Sequence, residues 1–384
     1  MIFTIPLGWL QLKKEKLRLL VATAGVGFAV VLIFMQLGFR TALFVSAVRF
    51  HTSFDYDIVL ISPKTAYMIN PESFSRRRLY QAAGFSAVES VSPVYMSLAP
   101  WKNPTSSGTR AIFVVGFNPS QHVLNLPAVN ANLDKIQLPD VVLFDELSRP
   151  ELGPVPELFK ARQTVETELI NRKISVGGLF QVGTSFGLDG SVVTSDLNFL
   201  RLFPSRPEGL IDLGLIKLEP GVDPDLMRDT LDEALPDDVI VLTRQGYKDR
   251  EVAYWNSTTP IGYVFTFGVI IGLVVGSIIV YQILFSDVSD HLAEYATLRA
   301  MGYPMSFLIG VVLQEAVILS VLGYLPAFAI TLGLYRMAGD ATRLPLEMSV
   351  ERGVAVLMLT VVMCAVSGLI AVRKLRSADP AEIF

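Results

Sequence analysis

Cysteine is almost missing from this chain: Cys364 is the single one in 384 residues. It lies inside an apolar run, so neither a disulfide framework nor a multi-cysteine metal site can be built around it. Histidine is nearly as scarce, and His51, His122 and His291 stand far apart, which leaves no histidine cluster. The chain has no G-x-x-x-x-G-K-[ST] loop, so it cannot cradle and hydrolyse a nucleotide by the P-loop route on its own. No catalytic cluster, metal site or cofactor site can be read from it, which argues against an enzyme. Charge is also low. With 18% charged residues and a net charge of −4, nothing points to nucleic acid as a partner.

Apolar residues are abundant instead, at 51%, and the mean hydropathy of +0.48 is too high for an ordinary soluble domain. A helix needs roughly 20 apolar residues to cross a hydrocarbon core, and four segments supply them: 19–45, 259–285, 305–335 and 353–372. The first lacks a small-x-small cleavage site after its apolar run, so it reads as a retained span and not as a signal peptide. The third is interrupted by Gln314 and Glu315 and carries Pro326, where a kink is expected. Basic residues favour the cytoplasmic side of short loops. Lys13, Lys14, Lys16 and Arg18 precede the first span, and Arg373, Lys374 and Arg376 follow the last. Both termini are therefore expected to face the cytoplasm. Residues 46–258 then lie outside, 286–304 inside, and 336–352 form a short outer loop.

The large outer segment is expected to be an α+β domain. "DYDIVLIS" (55–62), "SVSPVYMSLAPW" (90–101) and "TRAIFVVGF" (109–117) read as strands, the last two joined by the turn-rich "KNPTSSG". Residues 213–243 read as strand, turn, helix and strand, with Asp223 at the N-cap and Pro224 in the first helical position. An inserted subdomain is expected over about 119–190, where Pro, Asn and Gly are frequent. "SRRRL" at 75–79, the densest basic patch, reads as a solvated face. "GVG" at 25–27 reads as close helix packing inside a span.

Between the second and third spans, "HLAEYATLRAMGYP" (291–304) reads as a short helix with a firm stop. Asp287 and Asp290 suit its N-terminal end, Arg299 its C-terminal end, Gly302 the C′ position, and Pro304 prevents continuation. Val288, Leu292 and Tyr295 share one apolar face, with Asp290, Glu294 and Met301 turned elsewhere. A carboxylate such as Glu315 inside a span needs a partner, water or a headgroup. No basic residue on another span is an obvious partner, which favours a packed interhelix hydrogen bond over a cargo or proton contact.

One span, a large outer domain and three further spans with an intracellular helix resemble the MacB/FtsX class of ABC-transporter permeases. The class links its second and third spans by "E-x-x-x-x-x-A-x-G", which Glu294, Ala300 and Gly302 match. Glu315, Ala316 and Gly323 match its "E-A" pair before a glycine, and "SADPAEIF" is similar to its C-terminal tail. The sequence departs from the pattern at Ala293, where a basic residue is common, and at Ala296, where glycine is common. Within the class, "IPLGWLQLKKEKLRLLVATAGV" and "DELSRPELGPV" (145–155) resemble the DevC-type permeases of cyanobacterial heterocyst glycolipid exporters. The resemblance implies a homodimer in the lipid membrane that works with a separate DevA-like ABC ATPase, a DevB-like periplasmic membrane-fusion adaptor and a TolC-like outer-membrane channel. It also implies that Asp290, Glu294, Leu298, Arg299, Met301 and Gly302 couple the permease to the ATPase. FtsX-type signalling to a periplasmic cell-wall hydrolase is the alternative within the same class.

Overall fold

A computed structural model describes residues 16–106, 108–207 and 209–372. Lys13, Lys14, Arg373, Lys374, Arg376 and the tail from 377 lie outside the described residues. The chain divides into two compact units, one of residues 43–260 with 342–345 and one of the remainder.

In the first unit, strands with both faces buried read as nearly continuous apolar runs, because successive side chains point to opposite sides. Ile58 and Leu60 enter one core and Val59 and Ile61 the other; Ile112 and Val114 alternate with Phe113 and Val115 in the same way. The strands are β1 (Ile58–Ile61), β2 (Val88–Lys102), β3 (Thr109–Phe117), β4 (Val141–Asp145), β5 (Glu166–Leu169), β6 (Arg172–Phe180), β7 (Ser191–Ser195), β8 (Leu213–Leu218) and β9 (Ile240–Thr243). They form one sheet in the order β9-β1-β8-β2-β3-β7-β4-β6-β5. The β3–β7 and β4–β6 pairs are parallel, and the other neighbours are antiparallel. Helices Arg76–Ala82, Asp196–Leu202 and Pro224–Ala234 contribute to one core. Helices Arg49–Ser53, Pro127–Asn130, Leu133–Ile136 and Arg244–Ala253 contribute to the other.

β2 and β3 form a hairpin, with Lys102 opposite Thr109. Asp223 caps the helix from Pro224, its side chain accepting from the Asp225 amide. The strands on either side of that helix, β8 and β9, each pair antiparallel to β1 and so are separated by it. The unit is thus a split βαβ. Residues 119–190, expected to be an inserted subdomain, add β4, β5 and β6 to the same sheet. Their apolar side chains, Val142, Phe144 and Ile174 among them, join the cores built by the rest of the unit, so the segment has no separate core. Ser75 caps the helix that carries the basic patch, where Arg78 pairs with Asp238 at 2.8 Å.

A buried carboxylate fixes the ends of β4 and β6. Asp145, 0% exposed, accepts from the amides of Leu147 (3.1 Å), Val182 (3.2 Å) and Gly183 (2.7 Å) and from the Ser191 hydroxyl (3.3 Å). Buried polar atoms are tolerated when they are hydrogen-bonded in this way.

Among the described residues, the second unit contains four helices long and apolar enough to cross a membrane: α1 (Lys16–Ala47), α2 (Pro260–Asp290), α4 (Met305–Thr342) and α5 (Val350–Ala371), with the short α3 (Leu292–Ala300) between α2 and α4. With lipid-like surroundings offering no hydrophobic drive between helices, small residues and interhelix hydrogen bonds hold such a bundle together. A Cβ on Gly25 would lie 2.4 Å from Ile279 Cγ2, and one on Gly323 would lie 2.5 Å from Val26 Cγ1. These contacts make the "GVG" stretch a packing surface. The Ser367 hydroxyl donates to the Ser277 carbonyl at 2.9 Å, tying α5 to α2, and the Tyr324 hydroxyl donates to the Gly353 carbonyl, tying α4 to α5. Pro326 lies inside α4, which continues through it to Thr342, so that 336–342 are helix where a loop is expected.

Candidate coupling site

The stretch expected to be one helix from Asp287 to Met301 is divided. α2 runs to Asp290, His291 interrupts it at φ −97 and ψ 14, and α3 starts at Leu292. The Asp287 carbonyl receives the His291 amide at 3.1 Å and also lies 3.0 Å from the ring Nδ1, so a side chain shares the acceptor that a regular helix gives to the backbone alone. Asp287 and Asp290 therefore occupy the last turn of α2 and do not cap α3. Negative charge is unfavourable at a helix C-terminus. Arg18, from α1, offsets it, with Nη1 3.0 Å from Asp290 Oδ2 and 3.6 Å from Asp287 Oδ1.

α3 ends as its sequence dictates. The Gly302 amide donates to the Arg299 carbonyl and the Tyr303 amide to the Leu298 carbonyl, the paired bonds of a Schellman motif. Gly302 has φ +94, a left-handed conformation that costs other residues roughly 1–2 kcal/mol. The inner face of α3 is anchored: Val288, Tyr295, Leu308, Val312 and Val372 form a buried cluster, with Leu292 and Leu298 packed against it. Glu294, Arg299, Met301 and Gly302 are exposed. Of the residues expected to couple, these four share the outer surface of α3 and its stop. Leu298 faces the cluster, and Asp290 sits on α2 in an ion pair.

Glu315, on α4, is 0% exposed. Asp287 of α2 and Arg18 of α1 are its charged neighbours among the described residues. Arg18 and Asp287 are the site residues that sequence reasoning misses as a pair. They are distant in the chain, and each has a local reading of its own, Arg18 as an orienting flank and Asp287 as a cap. The excess of acid over base at 287–294 is the one signal that asks for a cation from elsewhere. Among the described residues, no group of histidine, cysteine and carboxylate side chains is arranged to hold a metal ion.

Residues 265–380 match the model of the FtsX-like permease C-terminal domain. That interval contains most of α2, all of α3 and the Glu315 region. Comparison with curated proteins gives no match. Among solved structures, the periplasmic region of MacB from Actinobacillus actinomycetemcomitans is similar over 54% of this chain and 96% of its own, at 12% identity and a TM-score of 0.36. The extracellular domain of the noncanonic ABC-type transporter YknZ from Gram-positive bacteria is similar over 49% and 98%, at 10% identity and a TM-score of 0.33. At such scores these likenesses carry no weight. Residues 265–380 thus resemble an FtsX-like permease C-terminal domain, and four described helices are long and apolar enough to cross a membrane.

Proposed function

We propose that this chain is the permease subunit of a tripartite ABC efflux pump that exports an amphiphile such as a glycolipid. A separate ATPase docks on the exposed face of α3, and its closure moves α2 and α4, which α3 joins. The movement passes to the outer domain, which hands cargo to a membrane-fusion adaptor and a TolC-like channel. The subunit acts as a homodimer in the bacterial inner membrane with both termini in the cytoplasm. The observation that carries this reading is the FtsX-like match across a short helix with an anchored inner face, a polar outer face and a defined end.

The FtsX-type signalling alternative uses the same membrane unit. The size of the 46–258 segment and its DevC-like sequence favour the pump.

Topology supplies the test. A reporter active only outside the cytoplasm should work when fused near Glu151 and fail near Tyr295. Activity at Tyr295, or none at Glu151, contradicts a cytoplasmic α3 and with it the docking of an ATPase there.

A further inference from the structure

One loop of the unit of residues 43–260 and 342–345 is tied to the ends of three of the long apolar helices. The loop, "VGTSFGL" (182–188), carries no charge. Arg49, two residues after α1, donates from Nη1 to the Val182 carbonyl at 3.1 Å. The Thr184 hydroxyl donates at 3.2 Å to the carbonyl of Arg343, the residue that follows α4. The Phe186 ring stands edge-on to that of Trp255, with centroids 6.4 Å apart, and Trp255 lies five residues before α2. All three contacts fall within the one unit. Gly183 has φ +95, and a Cβ there would collide with the Arg49 guanidinium, so the first tie requires a glycine.

The tip of this loop is closed and directs its largest side chain outward. Ser185 and Leu188 exchange both backbone hydrogen bonds, at 3.1 and 3.4 Å, around Phe186 and Gly187. Val182 and Leu188 are buried in a core cluster, whereas Phe186 is 54% exposed. Among the described residues, no other phenylalanine of the unit is as exposed. Leu147, also exposed, lies beside Gly183 and extends the apolar surface. Behind Phe186, Tyr67 meets Trp255 at 5.5 Å and stacks on Tyr254 at 4.7 Å. The Trp255 indole N–H donates to Glu251 at 2.9 Å. A large apolar side chain on a backbone already fixed loses little freedom when something covers it, so Phe186 is preorganised for a partner.

Chain continuity identifies that partner. Even fully extended, five residues span no more than about 18 Å and two no more than about 7 Å. The three ties therefore hold the loop at the level where the apolar helices end. In a chain that crosses a membrane this level is the lipid interface, where tyrosine, tryptophan and other aromatic side chains collect.

We propose that the Ser185–Leu188 turn is a lipid-contact element: Phe186, with Leu147 beside it, enters the boundary between headgroups and acyl chains on the face of the bilayer where this unit lies. The partner is the lipid surface itself. The inference rests on the reading of the long apolar helices as membrane spans, and adds to it a contact made by residues that are remote from every span in sequence.

The test uses the full chain in nanodiscs of phosphatidylcholine and phosphatidylglycerol. An environment-sensitive fluorophore is attached at Phe186→Cys or Leu147→Cys, or at Met358→Cys and Glu151→Cys as references; all four positions are exposed, and the native Cys364 is buried. Lipids carry a nitroxide quencher either just below the headgroup or at the end of the acyl chain. The labels at 186 and 147 should be blue-shifted and quenched severalfold by the shallow nitroxide, and less by the deep one. The label at 358, near the middle of α5, should be quenched more by the deep nitroxide, and the label at 151 by neither. Water-like emission at both 186 and 147 overturns the proposal. A blue shift there without quenching also overturns it, since a protein surface then covers the turn. If the label at 358 escapes both quenchers, the span reading fails and the proposal with it; quenching at 358 alone refutes the lipid contact and leaves that reading standing.

Discussion

Replacing Glu294 with lysine is expected to strip the permease of most of its ATPase while leaving its own fold intact. Glu294 lies on the exposed face of α3, in its first turn, where an acid also complements the helix dipole. A lysine there places a repulsive charge at a contact suited to an acid. Loss of such a pair at a partly desolvated interface costs about 1–3 kcal/mol, or about 5- to 150-fold in the dissociation constant. Arg299→Glu, at the other end of the same face, should act in the same direction. Both side chains are exposed and neither joins the Val288–Tyr295 cluster, so the bundle should fold normally. The measurement is ATPase activity and co-purification of the ATPase with each variant in nanodiscs. Wild-type values for both variants mean that α3 is only a connector.

Asp145→Ala is expected to destabilise the unit of residues 43–260 strongly. It withdraws the acceptor from three backbone amides and the Ser191 hydroxyl at a site with no solvent access. A buried donor left unsatisfied costs about 1–3 kcal/mol, and with several affected the loss should reach roughly 3–5 kcal/mol. Asp145→Asn keeps one carbonyl oxygen and should lose less. Thermal unfolding of the full chain, followed through a probe in that unit, checks the order. Equal midpoints for wild type and Asp145→Ala contradict it.

Local signals in the sequence identify the elements whose causes are local. The β2–β3 hairpin follows from a turn-rich segment between two apolar runs, the helix at Pro224 from Asp223 and its neighbouring proline, and the end of α3 from Gly302. The four long apolar helices follow from apolar length alone. What depends on distant partners is not legible. β4, β5 and β6 sit in a segment rich in turn residues, and nothing in the chain tells that they extend the common sheet. Asp287 and Asp290 fit a helix N-terminus equally well in isolation. Arg18, brought from α1, makes them tolerable at the C-terminus of α2. The same arginine gives Glu315 the neighbourhood that its own span lacks.

Site-specific crosslinking from α3 tests the central claim most directly. Cys364 is the one cysteine in the sequence and is buried, so new cysteines placed by Glu294→Cys and Arg299→Cys can be addressed individually. In native membranes, a short thiol-to-amine crosslinker at either position should capture a protein that is photolabelled by azido-ATP, whereas Glu151→Cys in the unit of residues 43–260 should not. Failure of both α3 positions to capture an ATP-binding protein, or its capture from position 151, contradicts the account.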